Sequence, residues 1–166
     1  ISSSQIQRYS RQLILADIGV KSQEKFGNTR VLVVGAGGLG APVLLYLAAA
    51  GIGRLGIIDP DNVEIDNLHR QVIHSELTIG KAKAESAKAA CLRLNSTVRV
   101  DAYVMRFDET NAMDLVRNYD IIVDASDNVA TRYLINDAAI LSRKPVVSGA
   151  ALRMEGQVTV YGYNGG

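Results

Sequence analysis

The sequence predicts an α/β protein, a doubly wound and mostly parallel sheet preceded by an N-terminal helical arm. Strand-like and helix-like segments alternate from residue 30 to residue 150, which is the pattern of βα units laid on a parallel sheet. The strand-like segments are continuous apolar runs, such as Arg30-Val31-Leu32-Val33-Val34 and Ile121-Ile122-Val123-Asp124. Such runs suit strands buried on both faces. The first run ends in a glycine cluster, Gly35-Ala36-Gly37-Gly38-Leu39-Gly40, and a helical stretch follows it.

Residues 1–29 lack this alternation and read as an arm of two short helices, 5–15 and 22–26. Residues 30–166 read as the α/β domain. Its first strand is 30–34, and the helix after the glycine cluster spans 41–50 and stops at Gly51. Pro42 falls in the first turn of that helix, where a missing N–H costs nothing. Residues 55–59 read as the second strand, and the Ala- and Lys-rich stretch 80–94 as a helix. A strand at 98–104, a short helix at 111–117, a buried strand at 121–124 and a helix at 129–142 follow. Residues 145–148 read as a strand, and 157–163 alternate as a half-buried strand would. No internal repeat or low-complexity segment interrupts the order.

A chain of 166 residues suits one domain with its own core. The formal net charge of +1 argues against a dedicated nucleic-acid binder. Cys91 is the only cysteine, which excludes a disulfide framework and reads as packing inside a helix. No apolar run approaches the length of a membrane span, and the start resembles neither a signal nor a transit peptide. The expectation is a soluble, cytoplasmic protein in a reducing compartment, with no membrane or nucleic-acid partner. Lacking an initiator Met and stopping just after a strand-like stretch, the chain reads as a fragment.

The spacing of Gly35, Gly37 and Gly40, between a strand and a helix, is a nucleotide-binding fingerprint in its expected context. Glycines permit the tight turn and a close approach of backbone to phosphate, and the helix N-terminus offers N–H groups to an anion. Asp59, at the end of the second strand, suits a ribose hydroxyl. A Rossmann-like sheet is therefore expected. The loop alone does not separate ATP from NAD, and a tight turn without a ligand is the plainer alternative. Arg70, Lys83 and Asp127 favour ATP, because a triphosphate attacked at its α-phosphorus needs cations and magnesium. Asp127 sits beyond the carboxyl end of a buried strand, where ligands of such sheets bind, and is the candidate magnesium ligand. The competing readings are solvated surface charge for each cation and a cap on helix 129–142 for Asp127. His69 and His74 lack the companions of a metal or catalytic set, and His69 reads as a polar loop residue. Tyr161 and Tyr163 read as packing or partner surface.

Taken together, the chain resembles the ThiF/MoeB family of ubiquitin-activating-like adenylyltransferases. The resemblance is carried by Arg8-Tyr9-Ser10-Arg11-Gln12, the glycine cluster, Asp59-Pro60-Asp61, Asn67-Leu68-His69-Arg70-Gln71, Asp124-Ala125-Ser126-Asp127-Asn128 and Met154-Glu155-Gly156-Gln157, in family order. The wording is most similar to the eukaryotic molybdopterin-synthase adenylyltransferase and sulfurtransferase group, with bacterial MoeB as the alternative. The resemblance implies ATP and Mg2+ as cofactors and adenylylation of the C-terminal Gly-Gly of a ubiquitin-like sulfur carrier. The product would serve molybdenum cofactor biosynthesis, tRNA thiolation or both. It implies that Gly38 backs the phosphates, Asp59 holds ribose, Arg70 and Lys83 contact phosphates, and Asp127 holds magnesium. Asp61, Asn67, Gln71 and Asn128 would line or support the site, and Arg11 would enter the site of the partner in a homodimer. The family's zinc cysteines fall beyond Gly166, so no zinc is expected in this chain. An NAD-dependent oxidoreductase and an inactive subunit of an activating enzyme are the competing functions.

Overall fold

The continuous apolar runs become the interior of one sheet in the computed structural model, which describes residues 1–163. The strands are β1 (Arg30–Val34), β2 (Arg54–Ile58), β3 (Arg99–Tyr103), β4 (Ile121–Asp124), β5 (Val146–Leu152) and β6 (Glu155–Tyr161). They lie in the order β3-β2-β1-β4-β5-β6. The first five run parallel, and β6 returns antiparallel along β5. The helices are α1 (Ser3–Leu13), α2 (Gly19–Asn28), α3 (Gly40–Ala50), α4 (Lys83–Leu94), α5 (Ala112–Arg117) and α6 (Val129–Ser142).

Two apolar layers explain why β1 has no polar alternation. Val31 and Val33 pack with Leu55, Ile57, Leu44, Ala84 and Ala87, under α3 and α4. Leu32 and Val34 face the other way, onto Ile58, Ile122, Tyr119 and Ile135, under α5 and α6. Each buried aliphatic side chain contributes about 1.5–3 kcal/mol, so a polar substitution on either face of β1 strikes one of the two cores. Cys91 lies inside the first layer. Burial pushes its thiol up to about 11, so the inert packing residue read from the sequence is what the fold contains.

The arm docks where the strands begin. Tyr9 is buried, and its hydroxyl accepts a hydrogen bond from Asn95 Nδ2 at 2.9 Å. The same Asn95 amide donates to Ala48 O at 2.8 Å, so one fully buried side chain ties α1 to the C-terminal ends of α3 and α4. Arg8 adds a bond to Leu94 O, and Gln23 of α2 adds one to Ala50 O.

Several bounds differ from the sequence expectation, each for a local reason. Helix α1 begins at Ser3 because Ser2 and Gln5 form a capping box. Helix α2 extends beyond 22–26 on both sides. Helix α4 begins only at Lys83, because Gly80 has φ +81° and Ala82 is held in an antiparallel bridge to Asn62. Strand β5 runs on to Leu152 because the hairpin turn at Arg153-Met154, with Arg153 at φ +57°, brings β6 back against its whole length. The same turn fixes β6 at Glu155–Tyr161, earlier than the expected 157–163. Two short 3-10 turns, Ile65–Asn67 and Glu76–Thr78, were not legible in the sequence.

Candidate functional site

Beyond the carboxyl ends of β1, β2 and β4, the chain turns on Gly35. Its φ is +99°, and a Cβ there would fall 2.7 Å from Ala125 O. Only glycine fits both demands. The strand order reverses direction between β1 and β4, which places the turn at the crevice where open α/β sheets bind ligands. Gly40 closes the turn, since a Cβ there would lie 2.8 Å from the Gly35 carbonyl carbon and closer still to its oxygen. Between these two glycines the backbone N–H groups of Gly37, Gly38, Leu39 and Gly40 meet no protein acceptor among the described residues. The helix N-cap, Leu39, supplies no side-chain cap. Helix α3 therefore presents uncapped donors and its positive dipole end to the crevice.

Asp59 organises the turn from β2. Its Oδ2 accepts the Ala36 N–H at 2.8 Å and its Oδ1 the Asp61 N–H at 2.9 Å. Burial raises the Asp59 carboxyl above the ordinary aspartate range, and the two backbone hydrogen bonds and the charge on Lys83 oppose that rise. Each oxygen accepts one backbone bond and keeps a second acceptor position for a ligand hydroxyl.

Three further side chains converge on the turn. The aliphatic stem of Arg70 covers Gly38, with Cγ 3.6 Å from where a Cβ would stand. Its guanidinium is exposed and bonded to Asp66 O at 3.0 Å. Exposed His69 lies beside it, 3.3 Å from Nη1. Lys83, the first residue of α4, is buried and paired with Asp61 at 3.0 Å, while its N–H is held by Asp61 O. Gln71 is buried with its Nε2 beside Gly37, and its Oε1 has no hydrogen-bond partner among the described residues. A buried acceptor left without a partner costs about 1–3 kcal/mol, so its place at the turn favours a ligand or water there. Asn67 is also buried, but its amide is committed to the turn through Glu64 N and Asp66 Oδ1. It shapes the loop that carries Arg70.

Across the crevice, the β4–α6 loop carries Asp127. Asn128 caps α6 by accepting the Thr131 N–H at 3.0 Å. That rules out the competing reading of Asp127 as the cap: both residue types can cap, and the helix register selects its neighbour. The exposed Asp127 carboxylate is left facing solvent. Among the described residues no group of three or more His, Cys, Asp or Glu side chains could hold a metal. A metal at Asp127 would therefore draw its remaining ligands from substrate and water.

Sequence reasoning passed over the residues that hold this loop. Asp124 is 1% exposed and accepts from the Ser126 and Ser148 hydroxyls at 2.6 and 2.9 Å. Arg132 lies 3.1 Å from it and also donates to Ser126 O and Gly149 O. A carboxylate at the end of a buried strand demands such a partner, and that demand was the available signal. Arg11 does not join the group. Helix α1 rests on the C-terminal end of α4, whereas Lys83 opens its N-terminus. The two ends of a helix of this length are about 18 Å apart.

These features define a Rossmann-like α/β domain with an anion-directed glycine turn. The ThiF family model matches residues 9–166, and the chain belongs to that family. Over all 166 residues the chain is 57% identical to the adenylyltransferase and sulfurtransferase MOCS3 of Danio rerio, covering 36% of it. The chain thus spans about a third of the length of the curated relatives it matches. Among solved structures it is similar to PaaA, with a TM-score of 0.87 and 30% identity over 99% of this chain and 53% of that one. It is also similar to the Escherichia coli MccB complex with ATP, with a TM-score of 0.79 and 31% identity over 88% of this chain and 46% of that one. The family read from the motifs and the doubly wound fold both agree with these matches. Among the described residues no helix is long and apolar enough to cross a membrane.

Proposed function

We propose that the chain is the ATP-binding part of a cytoplasmic adenylyltransferase that activates the C-terminal glycine of a ubiquitin-like sulfur carrier. The activated carrier would serve molybdenum cofactor biosynthesis, tRNA thiolation or both. The observation that carries the reading is the uncapped first turn of α3, flanked by Arg70 and Lys83, with the Asp59 carboxylate behind it. The names of the relatives and the ATP complex of MccB support it.

The free N–H groups from Gly37 to Gly40 would hold phosphate oxygens, and Asp59 would accept a ribose hydroxyl. A carboxylate oxygen of the carrier glycine attacks the α-phosphorus. The bond from that phosphorus to its bridging oxygen breaks, pyrophosphate leaves with the electron pair, and an acyl adenylate forms. Anions are brought together in this step, so fixed cations matter most as charge develops on the phosphorus. Lys83, preset by Asp61, and Arg70, whose planar fork suits phosphate, supply that charge. Mg2+ fits the chemistry of Asp127, an exposed carboxylate on the β4–α6 loop, and bound there it would neutralise polyphosphate charge. Gln71 and Asn128 support the two walls. In a homodimer Arg11, distant from its own turn, would enter the partner's site.

The test is ATP–pyrophosphate exchange with a Gly-Gly carrier. Arg70→Ala is expected to lose exchange by about 10²–10³-fold while retaining adenosine. Exchange unchanged in Asp127→Ala contradicts the magnesium assignment, and no exchange by the wild type contradicts the activity.

A further inference from the structure

His74 takes no part in the reaction just described, yet it is buried against the turn that the reaction uses. It is 7% exposed, with Nε2 3.0 Å from Ala36 O and Nδ1 2.9 Å from Ser86 Oγ. A carbonyl oxygen only accepts, so Nε2 carries the proton. Nδ1 of the neutral ring then accepts from the Ser86 hydroxyl. Burial lowers the imidazole below its ordinary range, opposed by the Ala36 bond and Asp59 and helped by Lys83, and so favours the neutral ring. Ser86 lies one turn along α4 from Lys83. The imidazole therefore bridges the glycine turn to the helix that presents the phosphate-side lysine.

The consequence lies in the peptide unit between Ala36 and Gly37. The bond is trans, so its C=O and N–H point in opposite directions. Holding Ala36 O on the buried side directs the Gly37 N–H to the open side, where it has no acceptor among the described residues. Asp59 fixes the peptide before it through the Ala36 N–H at 2.8 Å. A peptide that ends on a glycine meets little steric resistance to flipping, and a flip here would aim a carbonyl oxygen at the phosphates. We propose that His74 is a positioning residue that locks the Ala36–Gly37 peptide with its N–H toward the nucleotide phosphates and in register with Lys83. The proposal rests on the nucleotide-binding reading of the turn, but not on the adenylyl-transfer step.

The experiment is calorimetric titration of the chain and its variants with ATP and with adenosine, which lacks phosphates. His74→Leu is expected to lose about tenfold in ATP affinity, the scale of one hydrogen bond, with adenosine affinity unchanged. His74→Gln, which keeps a donor near Nε2, is expected to recover most of the loss. Equal losses for both ligands, no loss of ATP affinity, or a Gln variant as weak as the Leu variant overturns the proposal. Where His74→Leu does not fold, Ser86→Ala replaces it. Freeing the other tautomer should weaken ATP binding alone by about threefold, and unchanged ATP binding overturns the proposal. In the ligand-free chain, the amide NMR signals of Gly37 and Gly38 should broaden in the His74 variant as the peptide flips, and sharp lines overturn it. A wild type that gives these results but no pyrophosphate exchange keeps the role of His74 and loses the proposed reaction.

Discussion

Replacing Gly40 with alanine asks whether the nucleotide turn is closed by backbone contact. The new Cβ would lie 2.8 Å from the Gly35 carbonyl carbon, about 0.6 Å short of ordinary contact at 3.4 Å, and nearer still to the oxygen. Gly35 cannot simply withdraw, because its N–H is bonded to Ile58 O at 2.9 Å and it abuts Ala125 O. Overpacking of this kind costs about 1–3 kcal/mol, and backbone-on-backbone collision falls at the upper end. Alanine regains at most about 1 kcal/mol of helix propensity, so the collision wins. A net loss of about 2 kcal/mol lowers the melting temperature of a domain this size by about 4–8 °C. Gly37→Ala is the control, because its Cβ would meet only Gln71 Nε2 at 3.7 Å. Its melting temperature should stay within about 2 °C of wild type. Thermal unfolding followed by circular dichroism reads both. A Gly40→Ala chain that melts at or above wild type would refute the close-packed turn.

Two further outcomes follow from the site. Because burial raises the Asp59 carboxyl, adenosine affinity should fall on acidification at a pH above the ordinary aspartate range, and Asp59→Asn should flatten that profile. Stability should not follow the same course. A raised carboxyl pKa in the folded state opposes folding at neutral pH, and that opposition fades as pH falls through the raised value. Mixing Arg11→Ala and Asp127→Ala chains should restore about a quarter of wild-type exchange, since half of randomly mixed dimers carry one intact composite site. No recovery in demonstrated mixed dimers contradicts an arginine supplied by the partner.

Much of the site was legible because its parts are local. A strand, a glycine turn and a helix declare themselves by period and spacing, and Asp59 follows at the end of the next apolar run. Arg70, Lys83 and Asp127 sit beside recognisable short motifs. The supports were hidden because they act across the fold. His74 meets Ala36 over 38 positions and Asp124 meets Ser148 over 24, and no spacing rule joins a histidine to a backbone carbonyl. That Asn128 and not Asp127 caps α6 turns on a single residue of helix register, and both residue types favour that position. The Ser2–Gln5 capping box was readable in principle, but the expected helix started later.

The most direct measurement is a structure of the chain with a non-hydrolysable ATP analogue and Mg2+. Phosphates are expected on the Gly37–Gly40 N–H groups, ribose at Asp59, Arg70 and Lys83 against the triphosphate, and the ion at Asp127. A nucleotide bound elsewhere, or Arg70, Lys83 and Asp127 directed away from it, would contradict the account.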